Sequence, residues 1–208
     1  MRENARSYWN RRAVEFADDN MAVEFSARSQ VERFRAFLDY QESVGCSILD
    51  VGCGTGALFE FIRVLDSPVD YLGIDISEEM IARCQSKLPD VRFEVHDVQT
   101  WSTDETFDYV VCFGAFNVNV DNAVSNLPAI LERMFELSQK AVHVSFVSGR
   151  YLGVLDPHIR SWDPVALLEA ALLITPYVRL QHDYLPNDVS LTLYHEPRID
   201  RRRTAGRP

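Results

Sequence analysis

The 208-residue chain has few cysteines, little basic charge and no long apolar run. Cys46, Cys53, Cys84 and Cys112 form no C-x-x-C pair and have no histidine-rich neighbour at metal spacing. This argues against a metal site and for reduced thiols in a cytoplasmic protein. The formal net charge of −10 disfavours a nucleic-acid partner, because nucleic-acid binding draws most of its affinity from basic surface. No apolar stretch of about 18 residues could span a membrane, and the polar N-terminus shows no signal peptide.

The most informative segment is residues 48–59, with the sequence ILDVGCGTGALF. Ile48, Leu49 and Val51 suit a strand buried on both faces, and the alternate glycines that follow permit positive φ and let a ligand approach the backbone. A helix that opens at Ala57 would offer unpaired N–H groups to a ligand in the turn. The segment therefore predicts a nucleotide cradle.

Two cofactor classes use such a cradle. Gly52, Gly54 and Ala57 satisfy the dinucleotide pattern G-x-G-x-x-G/A. With Gly56 and Asp50 the segment also reads D-x-G-x-G-x-G, which resembles motif I of the class I S-adenosylmethionine (SAM) dependent methyltransferases. An anion next to the turn would repel a pyrophosphate, but it suits a ligand that carries an ammonium and a sulfonium.

Apolar runs and breakers alternate along the chain in a way that predicts strand and helix repeats. We expect strands near 47–51, 70–75, 91–95, 107–112, 141–147, 178–184 and 189–195. Helical spacing appears near 57–65, 77–87, 123–139 and 163–174, and residues 5–42 are expected to form two helices. The short turn at 185–188 forces the last two strands to be antiparallel.

The expected fold class is therefore α/β: a Rossmann-like seven-stranded sheet, mostly parallel with an antiparallel last strand, and helices on both faces. The resemblance to the methyltransferases implies the same sheet. We expect an N-terminal helical lid at 1–45, a SAM-binding domain at 46–196 and a basic, disordered tail at 197–208. One departure is that no Pro-Gly-Gly turn precedes the expected fifth strand, which leaves the start of that strand open.

A carboxylate follows each of the second and third strands. Asp75 ends the second strand beside the cradle, where an acid can accept hydrogen bonds from two ribose hydroxyls. It could also simply precede a helix that is capped by Ser77. The resemblance implies that Asp97, after the third strand, binds the adenine amino group, whereas the neighbouring His96 is expected on the surface.

The resemblance implies further cofactor contacts. Val98 would donate its backbone N–H to the adenine ring, Ile76 and Met80 would enclose the base, and the carbonyls near Phe113 would bind the methionine ammonium. Near the N-terminus, the segment YWNRR resembles the lid of small-molecule members of the family.

In such a lid, Arg12 would pair with the SAM carboxylate and Tyr8 would cover the sulfonium. The alternative for this segment is an amphipathic helix that packs on the core. His158 and Tyr184 are the candidates for a catalytic base, because loops at the carboxyl ends of strands four to six should surround the acceptor. A structural role is the alternative for both.

The resemblance implies a SAM-dependent methyltransferase that acts on a small molecule through an oxygen or nitrogen nucleophile rather than carbon, with S-adenosylhomocysteine as product. The alternatives are an RNA or protein methyltransferase, a NAD-dependent oxidoreductase and a SAM-binding subunit without catalysis. The acidic balance and the lack of an Asn/Asp-Pro-Pro-Tyr/Phe motif after strand four disfavour the RNA enzyme. At that place Asn117 could touch an acceptor or cap a helix.

Overall fold

A computed structural model describes residues 4–16, 23, 26–38, 45–65, 68–119 and 126–198. The strands are β1 Ser47–Val51, β2 Asp70–Asp75, β3 Arg92–Val95, β4 Phe107–Phe113, β5 Ser138–Val147, β6 Val178–Gln181 and β7 Asp188–Tyr194. The helices are α1 Ala5–Phe16, α2 Ala27–Leu38, α3 Ala57–Val64, α4 Glu78–Lys87, α5 Leu127–Leu137 and α6 Pro164–Leu172. Most of the predicted tail, 199–208, and the predicted helical residues 123–125 lie outside the described residues.

The seven strands form one sheet in the order β3-β2-β1-β4-β5-β7-β6. β7 runs antiparallel to both of its neighbours, and the remaining pairs are parallel. The predicted mixed sheet with an antiparallel last strand is therefore confirmed. The strand order reverses between β1 and β4, and such a switch point opens a crevice at the carboxyl ends of the strands.

Helices cover both faces of the sheet. On one face α5 and α6 pack against the central strands, with Ile130, Leu131 and Met134 at most 1% exposed. On the other face α2, α3 and α4 contribute to a second apolar cluster that includes Phe34 and Phe37. Helix α2 therefore belongs to the layer that covers this face of the sheet.

Helix caps fix several of the predicted boundaries. Asp163 caps α6, because its carboxylate accepts hydrogen bonds from the backbone N–H groups of Val165 (2.8 Å) and Ala166 (3.4 Å). Ser138 both caps α5 and begins β5. Because no loop separates these elements, β5 begins three residues earlier than predicted, and its pairing with β4 shifts register after Phe107.

β6 is shorter than predicted. It ends at Gln181, and residues 182–187 form the bends and turns that connect it to β7. Tyr184 therefore lies in the hairpin connection and not on a strand. None of the helices in the described part of the chain has both the length and the apolar character needed to cross a membrane. The four cysteines are buried and unbridged.

Candidate active site

The turn after β1 can be built only with glycine at two of its positions. Gly52 has φ +71° and Gly54 has φ +54°, a region that side chains rarely adopt. A Cβ at Gly52 would lie 2.5 Å from the Cβ of Ala115, and a Cβ at Gly54 would lie 2.6 Å from a methyl group of Val23. The N–H of Gly52 also donates to the carbonyl of Ile74 (2.8 Å), which ties the turn to β2.

The turn leads directly into α3. Gly56 is the N-cap residue, with φ +75° and no side-chain hydrogen bond to the helix, so the first N–H groups of α3 are not capped by a side chain. A Cβ at Gly56 would lie 3.1 Å from the ring of Phe93. Gly56 therefore serves close packing behind the turn, whereas Ala57 and Leu58 face the open space in front of it.

A cavity of about 390 Å³ lies at the switch point of the sheet. Its wall combines the strand tips of β1, β2 and β4 and the loop after β3 with residues of α1 and α2. Nine of the residues predicted to bind the cofactor line it: Asp50, Gly52, Gly54, Asp75, Ile76, Met80, Asp97, Val98 and Phe113. Three of the predicted residues do not line it: Tyr8, Arg12 and Gly56.

Asp75 is held rigidly at the tip of β2. Its carboxylate accepts hydrogen bonds from the N–H of Gly54 (3.0 Å) and the N–H of Ser77 (2.9 Å), and the residue is 7% exposed. Burial raises the pKa of Asp75, and the backbone donors partly oppose this rise. Ser77 caps α4 by accepting from the N–H of Met80 (3.1 Å), so the predicted cap is confirmed and Asp75 is not itself the cap.

Asp50 lies beside it on β1. The hydroxyl of Tyr71 donates to its carboxylate at 2.7 Å, and the residue is 3% exposed. Burial raises the pKa of Asp50 to about 7; the Tyr71 hydrogen bond opposes this rise and the charge of Asp75 adds to it. The carboxyl group can therefore change its charge near neutral pH.

The loop after β3 forms the next part of the wall. The side chain of Asp97 accepts from the N–H of Gln99 at 3.0 Å, which closes a local turn. His96 lines the cavity with its side chain 33% exposed, so it is partly at the surface, as predicted, and partly turned to the cavity. Its ring stacks on Trp101 with 4.8 Å between centroids, and its Nε2 lies 3.1 Å from a carboxylate oxygen of Glu94.

Helix α1 presents a different face to the cavity than the sequence predicts. Ala5 and Trp9, four residues apart, line the wall, whereas Tyr8 and Arg12 lie on a neighbouring face. The Tyr8 ring packs edge-on against Trp9 (5.1 Å between centroids), and the Arg12 guanidinium lies 4.1 Å from the centroid of the Phe16 ring. On α1 the cavity is therefore lined by the helix face that carries Trp9, and not by Tyr8 and Arg12.

Polar contacts fix α1 to the start of α4. The guanidinium of Arg6 lies 2.7 Å from a carboxylate oxygen of Glu78, and the amide of Asn10 donates to the same carboxylate at 3.0 Å. The hydroxyl of Ser77 donates to the side-chain oxygen of Asn10 at 2.6 Å. These contacts hold the first helix across the mouth of the cavity.

Helix α2 contributes two residues that sequence reasoning missed. Gln30 and Phe34 are four residues apart, both line the cavity, and they are 9% and 4% exposed. The i, i+4 spacing on an amphipathic helix was the available signal, but the same spacing is typical of ordinary core residues. Only the three-dimensional structure separates Gln30 and Phe34 from core residues such as Phe37.

Neither predicted catalytic residue lines the cavity. His158 is exposed in the loop after β5, its Nδ1 contacts the carboxylate of Asp156, and its ring lies 6.3 Å from that of Tyr8. The hydroxyl of Tyr184 donates to Asp188, which in turn pairs with a buried arginine of α2. Their catalytic roles stay predictions.

Asn117 has a structural partner. Its side-chain oxygen accepts from the N–H of Val147 at 3.0 Å, which links the segment after β4 to the end of β5. It does not cap α5, where Asn126 accepts from the N–H of Ala129 instead. In the described ranges, no three or more His, Cys, Asp or Glu side chains come together as a metal site would require.

Comparison with known proteins assigns this sequence to a family. Residues 42–184, more than half of the chain, match the family described as methyltransferase domain. The chain therefore belongs to this methyltransferase family.

Two curated relatives cover parts of the chain. Trans-aconitate 2-methyltransferase of Escherichia coli O1:K1 is 33% identical over 89 residues, which are 43% of this chain and 31% of that protein. Malonyl-(acyl-carrier protein) O-methyltransferase of Bacillus cereus is 27% identical over 99 residues, 47% of this chain and 35% of that protein. The matched segments thus span about a third of the length of each relative.

Among solved structures, magnesium protoporphyrin IX methyltransferase from Synechocystis PCC 6803 with bound S-adenosylhomocysteine superposes with a TM-score of 0.64. The sequences are 14% identical, and the match covers 91% of this chain and 93% of the other. At this identity the likeness shows the fold: a Rossmann-like α/β sheet over almost the whole chain.

Proposed function

We propose that this chain binds SAM at the switch point of its sheet and transfers the methyl group to a small-molecule acceptor through an oxygen or nitrogen atom. The observation that carries the proposal is the pair of buried carboxylates beside the glycine turn. Asp50 and Asp75 border the same cavity as Gly52 and Gly54, whose backbone leaves no room for a side chain. This cavity suits a ligand that has a planar ring and a separate cationic group, because the carboxylates attract the cation.

The residues suit the separate parts of SAM. Asp75 would accept hydrogen bonds from the ribose hydroxyls while its backbone donors keep it in place. Asp97 and Val98 would contact the adenine ring, with Ile76 and Met80 on its apolar faces. Asp50 and the backbone at Phe113 would lie near the methionine ammonium. The carboxylates would thus bound the ligand from three successive strand tips.

When bound, SAM supplies a methyl group that leaves the sulfonium for the acceptor, and the electron pair of the broken carbon–sulfur bond stays on S-adenosylhomocysteine. The chain would mainly orient the acceptor toward that methyl group and exclude water, because orientation can contribute a large part of the rate. A tight grip on the sulfonium charge would instead favour the ground state. We infer that α1, fixed to α4 across the mouth, acts as the lid.

Calorimetry with SAM, S-adenosylhomocysteine and NAD tests the proposal. We expect both adenosyl ligands to bind with a 1:1 stoichiometry and NAD to bind far more weakly, because Asp50 and Asp75 would repel its pyrophosphate. The family membership points the same way. NAD binding at comparable affinity, or no binding of either adenosyl ligand, would contradict the proposed function.

The affinity for SAM should depend on pH through Asp50. With a pKa of about 7 in the free protein, this carboxyl group must lose its proton to attract an ammonium. Below that pH the proton has to be released on binding, so the affinity is expected to rise about tenfold between about pH 6 and about pH 8. Calorimetry at several pH values measures the rise.

The matched control is Asp50→Asn, which keeps the shape and cannot ionise. This variant should bind more weakly at high pH, and any pH dependence that remains comes from the ligand amine, which titrates in both proteins. A variant with the same pH profile as the unmodified protein would exclude Asp50 as the titrating group.

A further inference from the structure

We propose that the acceptor subsite takes an uncharged, hydroxylated aromatic ring, held between α1, α2 and the carboxyl end of β4. The inference rests on the proposed function and adds the class of acceptor to it. The part of the wall that the cofactor would leave uncovered carries the argument. There the described residues present aromatic rings, the amide of Gln30 and one arginine, Arg6, which is paired with Glu78.

Four aromatic side chains line the cavity: Trp9, Phe34, Phe113 and Phe116. They come from α1, α2, the end of β4 and the segment that follows β4. Phe34 and Phe113 meet edge to face, with 5.0 Å between ring centroids and an interplanar angle of 81°. Aromatic rings favour such edge-to-face and offset contacts, so Phe34 and Phe113 form a surface on which another flat ring can pack.

Gln30 supplies the polar contact next to this surface. Its side chain lines the cavity, the residue is 9% exposed, and no hydrogen bond of the side chain with another described residue is found. The amide therefore keeps its hydrogen-bonding groups open to a ligand or to water in the cavity. Because an amide both donates and accepts, it matches a hydroxyl or carbonyl group and requires no charge on the ligand.

The charges of the wall disfavour an anionic acceptor. Asp50, Asp75 and Asp97 line the cavity, and among the described lining residues Arg6 is the only arginine or lysine. Arg6 is paired with Glu78 at 2.7 Å, and its side chain is half exposed. With these three acids engaged by the cofactor, the rest of the described wall would offer a polycarboxylate only the paired Arg6 as a counter-charge.

The pKa values of the two buried acids agree with this charge distribution. Burial, the Tyr71 hydrogen bond and the charge of Asp75 set the pKa of Asp50. Burial and three backbone N–H donors set the pKa of Asp75. No basic side chain is among these causes, so the described wall offers an acceptor carboxylate little compensation.

A pair of probes that differ in one group tests the inference. Salicylamide and salicylate share a hydroxylated ring, but salicylate carries a carboxylate where salicylamide has a neutral amide. With the protein saturated with S-adenosylhomocysteine, ligand-observed NMR and calorimetry should show salicylamide binding at least about tenfold more tightly than salicylate. Equal affinities, or tighter binding of salicylate, would overturn the inference.

Two variants locate the binding. Gln30→Met keeps the volume and removes the hydrogen bond, so it should weaken salicylamide binding about fivefold while the affinity for S-adenosylhomocysteine stays within about twofold. Gln139→Met, at an exposed position of β5 outside the cavity wall, is the matched control and should change neither affinity. Salicylamide binding that is insensitive to Gln30→Met contradicts the subsite.

The failures of the two proposals can be told apart. If the unmodified protein binds no S-adenosylhomocysteine, the proposed function itself fails. If it binds S-adenosylhomocysteine but neither salicylamide nor salicylate, the cofactor site stands and the aromatic acceptor subsite is refuted.

Discussion

Replacing Asp75 with alanine is expected to weaken SAM binding by about 1.5 to 3 kcal/mol, which is a loss of roughly 10- to 150-fold in affinity. The carboxylate is buried and fixed by the N–H groups of Gly54 and Ser77, so its remaining lone pairs can meet the ribose hydroxyls without reorganisation. Removing it leaves those hydroxyls without a charged acceptor. Isothermal titration calorimetry with SAM measures the loss.

Asp70→Ala is the matched control, because Asp70 begins the same strand at an exposed position away from the cavity. We expect this variant to bind SAM like the unmodified protein. Thermal unfolding of Asp75→Ala separates ligand contact from support of the turn, since the side chain also holds the backbone of Gly54. An unchanged affinity in Asp75→Ala would exclude the ribose role.

The sequence predicted those parts of the site that depend on local chemistry. The positions of Gly52 and Gly54 require positive φ and the absence of a side chain. Two glycines directly after an apolar strand indicate this in the sequence. Asp75 follows because parallel strands bring their carboxyl ends to one edge of the sheet, which places the end of β2 beside the end of β1.

The residues of α1 that line the cavity were predicted less well. Which of them face the cavity depends on the rotation of the helix about its axis. Tyr8 and Trp9 are adjacent, and a rotation of α1 by one residue would exchange their places. The rotation is fixed by contacts to α4, such as Asn10 with Glu78, and these join residues that lie 68 positions apart. Pairings across such distances have no local signal, so Trp9 could not be preferred to Tyr8 from the sequence.

The surroundings of Tyr184, a candidate catalytic residue, could not be predicted from the sequence either. The sequence places it near the carboxyl edge of the strands, where we expect the acceptor, and this makes it a reasonable candidate. The structure gives its hydroxyl a buried partner in Asp188, and burial together with that negative charge raises the pKa of Tyr184 far above its usual range. A phenol with so high a pKa is a poor base at neutral pH.

Replacing Arg33 with methionine should cause the largest loss of stability, about 3 to 5 kcal/mol near neutral pH. Arg33 of α2 and Asp188 of β7 are 1% and 0% exposed, and the carboxylate accepts from Nε at 2.7 Å and from Nη2 at 2.5 Å. Without the guanidinium, a buried carboxylate loses its counter-charge. Urea unfolding, followed by tryptophan fluorescence, measures the loss.

The loss should also depend on pH. Burial already raises the pKa of Asp188, although Arg33 and Tyr184 act to lower it. Removing Arg33 raises this pKa further, so the variant folds with Asp188 protonated at low pH. Stability is then retained below the pKa of an unfolded aspartate and lost as the pH rises through the folded pKa. The difference from the unmodified protein should therefore be smaller at about pH 5 than at about pH 7.5.

Two further variants show whether burial of the pair is the cause. Arg35→Met removes an arginine from the same helix, but Arg35 is 58% exposed and pairs with Glu32 at the surface, so we expect a change within about 0.5 kcal/mol. The double variant Arg33→Met, Asp188→Asn removes both charges and should recover part of the loss, because no uncompensated charge stays buried. If Arg33→Met and Arg35→Met proved equally mild, the ion pair between α2 and β7 would contribute little to holding the acceptor wall on the sheet.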